Sequence, residues 1–168
     1  MAIVEKIREQ LLILYTDDGS LIMKNLKKLV DSIDEYLERN RVVNAPHIVL
    51  QTIQEYDAMI QKAMCEYSVL AEGIDEGSNI NKVTITSIKA QEVLSLITTL
   101  LHYIQYAKDF CLKNISPEHA STYRKQFEVR IAQLEEIAKK YQTIVSNMSK
   151  IIELATMRLH KEIKKNNV

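Results

Sequence analysis

The sequence predicts an all-α fold: an elongated antiparallel bundle of about five helices that ends in one very long, coiled-coil-like helix. Three observations predict it. Helix breakers are scarce, with three Gly and two Pro in 168 residues, so the backbone has few places to leave a helix. Apolar residues recur at steps of three and four along most of the chain. From Pro117 onward neither Gly nor Pro occurs again. A chain of this length buries a proper core without disulfides, as a single helical-bundle domain over residues 1–168.

The first predicted helix covers about residues 2–15, with Ile3, Ile7, Leu11 and Leu14 at helical spacing. Thr16-Asp17-Asp18-Gly19-Ser20 is a turn of Asx side chains and a Gly, which makes an antiparallel hairpin with the helix that follows. That second helix covers about residues 20–39 through Ile22, Leu26, Leu29, Ile33 and Tyr36. Arg41 to Pro46 breaks it, and Pro46 suits the first turn of a third helix over residues 46–72. The stripe of that helix holds Leu50, Ile53, Ile60, Met64, Tyr67 and Ala71, interrupted by Asp57.

Gly73 to Asn81 reads as the longest loop. A fourth helix covers about residues 83–114, with the seam Val93, Ile97, Leu100, Ile104, Ala107 and Cys111. Leu96, Tyr103 and Phe110 repeat every seven residues beside that seam. The β-branched run Val83-Thr84-Ile85-Thr86 allows an extended start.

Ser116-Pro117-Glu118 is the clearest start signal: an N-cap hydroxyl, Pro at the first helical position and an acid against the helix dipole. The fifth helix then covers residues 117–165. With Ile131 at heptad position a, Leu134, Tyr141, Met148 and Ala155 fall at d, and Ile137, Ile144 and Ile151 fall at g. A two-stranded coil puts charges at e and g, so apolar g residues widen the stripe toward a bundle helix. At ~1.5 Å per residue this helix is ~74 Å long, against ~40–50 Å for the two before it. One end should therefore overhang: either the helix bends or breaks, or the overhang pairs with another chain and points to a partner site.

Net charge is +0, but residues 1–80 carry eight Lys/Arg against 14 Asp/Glu, and the rest carry 14 against eight. Halves of −6 and +6 attract each other within a molecule or between copies, and the dispersed basic residues favour that over a nucleic-acid tail. The N-terminus has acids within ten residues and no sustained apolar run, so no signal peptide is expected. No uninterrupted apolar stretch approaches the length of a transmembrane helix. Two cysteines, Cys65 and Cys111, 46 positions apart, form no disulfide framework or metal spacing. They sit among apolar residues as small hydrophobes in a reducing setting. Cytoplasm, or a host cell's cytoplasm or a virion, is the expected location.

No catalytic constellation meets its spacing requirement. His47, His102, His119 and His160 lack the Glu-x-x-His pattern of di-metal bundles, and there is no His-Glu-x-x-His or Cys-x-x-Cys. His102, near Tyr103 and Tyr106, is expected to be partly buried and hydrogen-bonded. Phosphate-loop glycine patterns are missing. Tyr36, Tyr67, Tyr103 and Tyr141 read as core-edge residues with hydroxyls reaching water.

These exclusions leave a non-catalytic assembly or scaffold protein, acting through helix-mediated homo- or hetero-oligomerisation, with no cofactor, metal or small-molecule substrate implied. A viral, phage or bacterial complex component fits the Ile-, Asn- and Lys-rich composition. The expected partner-binding residues are Ile137, Ile144, Met148, Ile151, Ile152, Arg158, Leu159, Lys161, Lys164 and Lys165, on the final helix. The alternative is a nucleic-acid-binding accessory factor using the basic C-terminal half, whose last turns, Arg158 to Lys165, are its most basic stretch. Cations there also complement the helix dipole, a sufficient structural reason for them.

Overall fold

Amphipathic helices joined by short connections bury their stripes by folding back on one another, and this chain does so. The computed structural model describes residues 18–42, 46–74 and 79–166. Among the described residues it holds four α-helices and no strand: α1 (Asp18–Arg39), α2 (Pro46–Glu72), α3 (Ile80–Leu112) and α4 (Pro117–Asn166). The expected helix over residues 2–15 and its hairpin turn at Thr16 and Asp17 lie outside the described residues.

Each helix packs on the next, and α1 also packs on α4, closing a four-membered ring. The two ends of α1 show its antiparallel course along α4. Tyr36, near its C-terminus, meets Ser116 and His119 at the start of α4. Ile22, near its N-terminus, shares a groove with Ile137. One core layer draws on all four helices, through Met23, Ile60, Ile97 and Leu134.

The helix boundaries have local causes. α1 starts two residues before its expected position and takes Asp18 and Gly19 into its first turn. It ends in a Schellman arrangement: Val42 N–H donates to Leu37 C=O at 2.9 Å and Arg41 N–H to Glu38 C=O at 3.1 Å. That geometry requires a left-handed residue after the helix, and Arg41 supplies it with φ 53°, where Gly is the usual occupant. α2 has the expected limits.

α3 starts at Ile80, three residues before the expected position, because the Asn79 side chain accepts Lys82 N–H at 2.9 Å as an N-cap. The β-branched run that could have been extended is helical. Its Thr84 and Thr86 hydroxyls donate one turn back, to Ile80 C=O and Lys82 C=O, which satisfies them within the helix. The connection expected from Gly73 to Asn81 is shortened accordingly, and α3 ends at Leu112 rather than 114.

α4 is 50 residues long, ~75 Å at the standard rise. Up to Ile151 its buried residues are Ile131 at a and, at d and g, Phe127, Leu134, Ile137, Tyr141, Ile144, Met148 and Ile151, whereas Ala138 and Val145 at a are half-buried. Among the described residues none after Ile151 is buried. No described helix is long and apolar enough to cross a membrane.

Candidate interaction surfaces

The residues expected to bind a partner divide into two groups. Ile137, Ile144, Met148 and Ile151 lie inside the chain's own core, so intramolecular packing already occupies them. Their apolar g and d positions do the work of a bundle helix. Ile152 is half-buried at the edge of the bundle. Arg158, Leu159, Lys161, Lys164 and Lys165 stand exposed on the turns beyond it.

Those last turns, residues 152–166, reach ~22 Å past the last buried residue. The heptad changes character there. Positions g, which are Ile137, Ile144 and Ile151 inside the bundle, become Arg158 and Lys165. The apolar residue beside a moves to e, at Ile163. Ile152, Leu159 and Ile163 form a narrow line, and Leu159 and Ile163 are about half exposed. This line is narrower than the wide face below it and has cations at g. Leu154 and Met157, on the other side of the helix, are also exposed.

The opposite charges of the two halves meet within the chain at one described ion pair. Lys89 Nζ on α3 lies 2.6 Å from Glu66 on α2 and 2.7 Å from Glu92 on its own helix. The Lys89 ammonium donates a hydrogen bond to Glu66 and holds that carboxyl below its ordinary value. Arg124 and Asp109, 3.4 Å apart, pair within the basic half.

Nucleophilic or ionisable side chains stand close to other groups at three places. Ser116 Oγ lies 2.8 Å from His119 Nδ1 and 3.3 Å from Tyr36 Oη. The Tyr36 and His119 rings lie 5.0 Å apart and tilted by 41°, and Tyr123 stands edge-on at 6.4 Å from Tyr36. A serine beside a histidine is the start of a nucleophilic site, but a third group that orients the base is also needed. Here the arrangement packs the C-terminal end of α1 on the first turn of α4, and Ser116 and His119 are exposed.

Asp57 faces a cavity of about 30 Å³, lined besides by Gln61 and by apolar side chains such as Ile60, Ile97 and Leu134. That is room for one water and no ligand. Burial raises the Asp57 carboxyl, against the opposing effects of the Gln61 hydrogen bond and the Lys24 ammonium. Cys111 is buried, and burial with the nearby Asp34 carboxylate pushes its thiol up to about 11. Among the described residues no group of three His, Cys, Asp or Glu side chains is placed to hold a metal ion.

Several side chains sit differently from expectation. His102 is exposed on the outer side of α3 rather than partly buried. Cys65 is exposed, because its position on α2 turns away from the core stripe. Tyr67 and Tyr141 are fully buried rather than at the core edge, and Tyr67 Oη has no hydrogen-bond partner. Sequence reasoning also passed over the outer side of α3, where Ile85, Ile88, Tyr106 and Phe110 are exposed. The signal was present in Leu96, Tyr103 and Phe110, a second seven-residue repeat beside the core seam.

Compared with known proteins, the chain matches no family model, no curated protein and no solved structure.

Proposed function

We propose that this protein is a non-catalytic assembly or scaffold component that associates with itself or with another protein through helices, in the cytoplasm or in a virion. The observation that carries this reading is the end of α4, a ~22 Å extension whose Leu159 and Ile163 are about half exposed on a line distinct from the bundle-facing one. Apolar surface of that kind lowers its free energy when a second helix covers it. The test is co-purification from the native source with mass measurement of the intact complex. The wild-type chain is expected in an assembly heavier than its own mass, and Leu159→Glu with Ile163→Glu is expected to lower that mass. A complex of unchanged mass in that variant overturns the reading.

A second reading rests on Arg158, Lys161, Lys164 and Lys165, all exposed over the same turns. As an accessory factor for nucleic acid, the chain would bind with an affinity that falls steeply with salt. Neutralising Lys161, Lys164 and Lys165 together is expected to flatten that slope, and an unchanged slope removes the tail from that role.

A further inference from the structure

α3 is apolar on two sides. Its inner side, from Val83 to Cys111, lies in the core. Along its outer side run Ile85, Ile88, Leu96, Tyr103, Tyr106 and Phe110. Their separations of three, eight, seven, three and four residues keep them on one stripe of a 3.6-residue helix. Tyr106 is 74% exposed, Ile88 59%, Ile85 55% and Phe110 39%, and Leu96 and Tyr103 are half-buried. From Val93 to Ala107 the helix carries no Lys, Arg, Asp or Glu at all. A bundle helix needs one apolar face and a charged one. A second face with three aromatic side chains, Tyr103, Tyr106 and Phe110, and one carboxylate, Glu92, has the composition of an interface core.

We infer that this face pairs with the same face of a second copy of the chain, the two α3 helices running antiparallel about a two-fold axis between Ile97 and Thr98. The reason for a second copy is that the stripe is self-complementary about that midpoint. Ile85 lies as far before it as Phe110 lies after it, Ile88 matches Tyr106 to within one residue, and Leu96 matches Thr99. Antiparallel pairing therefore sets Ile85 on Phe110 of the second copy, Ile88 on its Tyr106, and Leu96 beside its Thr99. Glu92, the carboxylate inside the stripe, comes opposite the Tyr103 hydroxyl, which can donate to it. The two Glu92 carboxylates stay ~16 Å apart along the axis, so no like charges oppose each other.

The area is sufficient. Four side chains of roughly 150–250 Å², at the exposures above, present roughly 400 Å² of apolar surface per copy. With Leu96, Tyr103 and the polar rim over ~38 Å of helix, the pair reaches the ~1,200 Å² total at which specific interfaces begin. The α3 surface is separate from the far end of α4, so this inference, a case of the self-association proposed above, can fail while the α4 contact holds.

The test is sedimentation equilibrium of the full chain and of Ile88→Lys with Tyr106→Lys, both exposed positions, with circular dichroism to show that the helices persist. The wild type is expected to be a dimer, and the variant to self-associate about tenfold or more weakly, whereas Leu159→Glu with Ile163→Glu leaves the dimer intact. A wild type that stays monomeric up to roughly 100 μM overturns the inference. It would leave the α3 face to a different protein or to residues 1–17 of the same chain. A dimer unmoved by the α3 variant overturns it too. Orientation is read by disulfide trapping in a Cys65→Ser background: Ile88→Cys and Tyr106→Cys chains are expected to cross-link to each other. Preferential linkage of Ile88→Cys to itself would mean a parallel pair and overturn the two-fold arrangement.

Discussion

Tyr67 on α2 and Tyr141 on α4 meet edge-to-face at the centre of the bundle, with ring centroids 5.7 Å apart and an interplanar angle of 63°. The two helices are not neighbours in the ring, so this contact spans its interior. Edge-to-face geometry adds to the burial of two large rings, but the Tyr67 hydroxyl is buried without a partner, which costs about 1–3 kcal/mol. Burial also holds both phenols well above their ordinary range, so neither ionises at any physiological pH. Tyr67→Phe keeps the ring contact and removes the orphaned hydroxyl. It is expected to raise the unfolding free energy by about 1 kcal/mol in a denaturant titration; a loss of stability would mean that the hydroxyl has a bonding partner.

The division of α4 at Ile151 predicts opposite outcomes for two residues both expected on a partner-binding face. Ile144→Ala, in the core, is expected to cost about 2–5 kcal/mol. Leu159→Ala, on the exposed turns, is expected to change the stability of the isolated chain by less than about 0.5 kcal/mol. Equal costs would place Leu159 inside a packed core.

The left-handed Arg41 that closes α1 holds a conformation costing a side chain on the order of 1 kcal/mol, and glycine is free of that strain. Arg41→Gly is expected to raise the melting temperature by roughly 2–4 °C, measured by calorimetry. A lower melting temperature would show that the Arg41 side chain contributes more than its backbone strain removes.

The cysteines are expected to separate in thiol labelling. Cys65 is exposed, whereas Cys111 is buried with its thiol pushed up to about 11, and the thiolate is the reactive form. A maleimide or disulfide reagent at pH 8 is expected to label one site per folded chain and two in denaturant. Two sites labelled at equal rates in the folded chain would contradict the burial of Cys111.

Asp57 predicts a pH dependence of definite sign. Its folded-state pKa is raised above the ordinary carboxylate value because the bundle desolvates it. An acid raised in this way binds its proton more tightly when folded, so it lowers stability while ionised. Its contribution therefore improves as pH falls through the folded value, and is fully relieved below the unfolded one. Asp57→Asn is expected to be slightly more stable than wild type at pH 7, by about 1–3 °C in melting temperature. That margin should shrink toward pH 4. A margin that grows on acidification would mean that the ionised carboxylate stabilises the fold.

Much of the fold was legible because periodicity and punctuation are local properties. Pro46 and Pro117 mark helix starts by geometry that needs no tertiary contact, and both helices begin there. The start of α3 was less legible: Val83 to Thr86 favours extended backbone by its branching. The Asn79 cap and the back-bonded threonine hydroxyls decide for helix. The interruption at Asp57 was visible as a break in the stripe, but its cavity is formed by residues of four helices and has no sequence signature.

By itself, then, the sequence determined that the chain is helical, which faces of the helices are apolar, and that the last helix outruns the others. Only the tertiary structure decided what covers those faces. It assigned Ile137, Ile144, Met148 and Ile151 to the chain's own core, left Leu159 and Ile163 uncovered, and exposed the Tyr106 side of α3. The physical reason is that a period of 3.6 residues reports which side of a helix avoids water. The surface that relieves it, from the same chain or another, is set by packing between segments far apart in sequence.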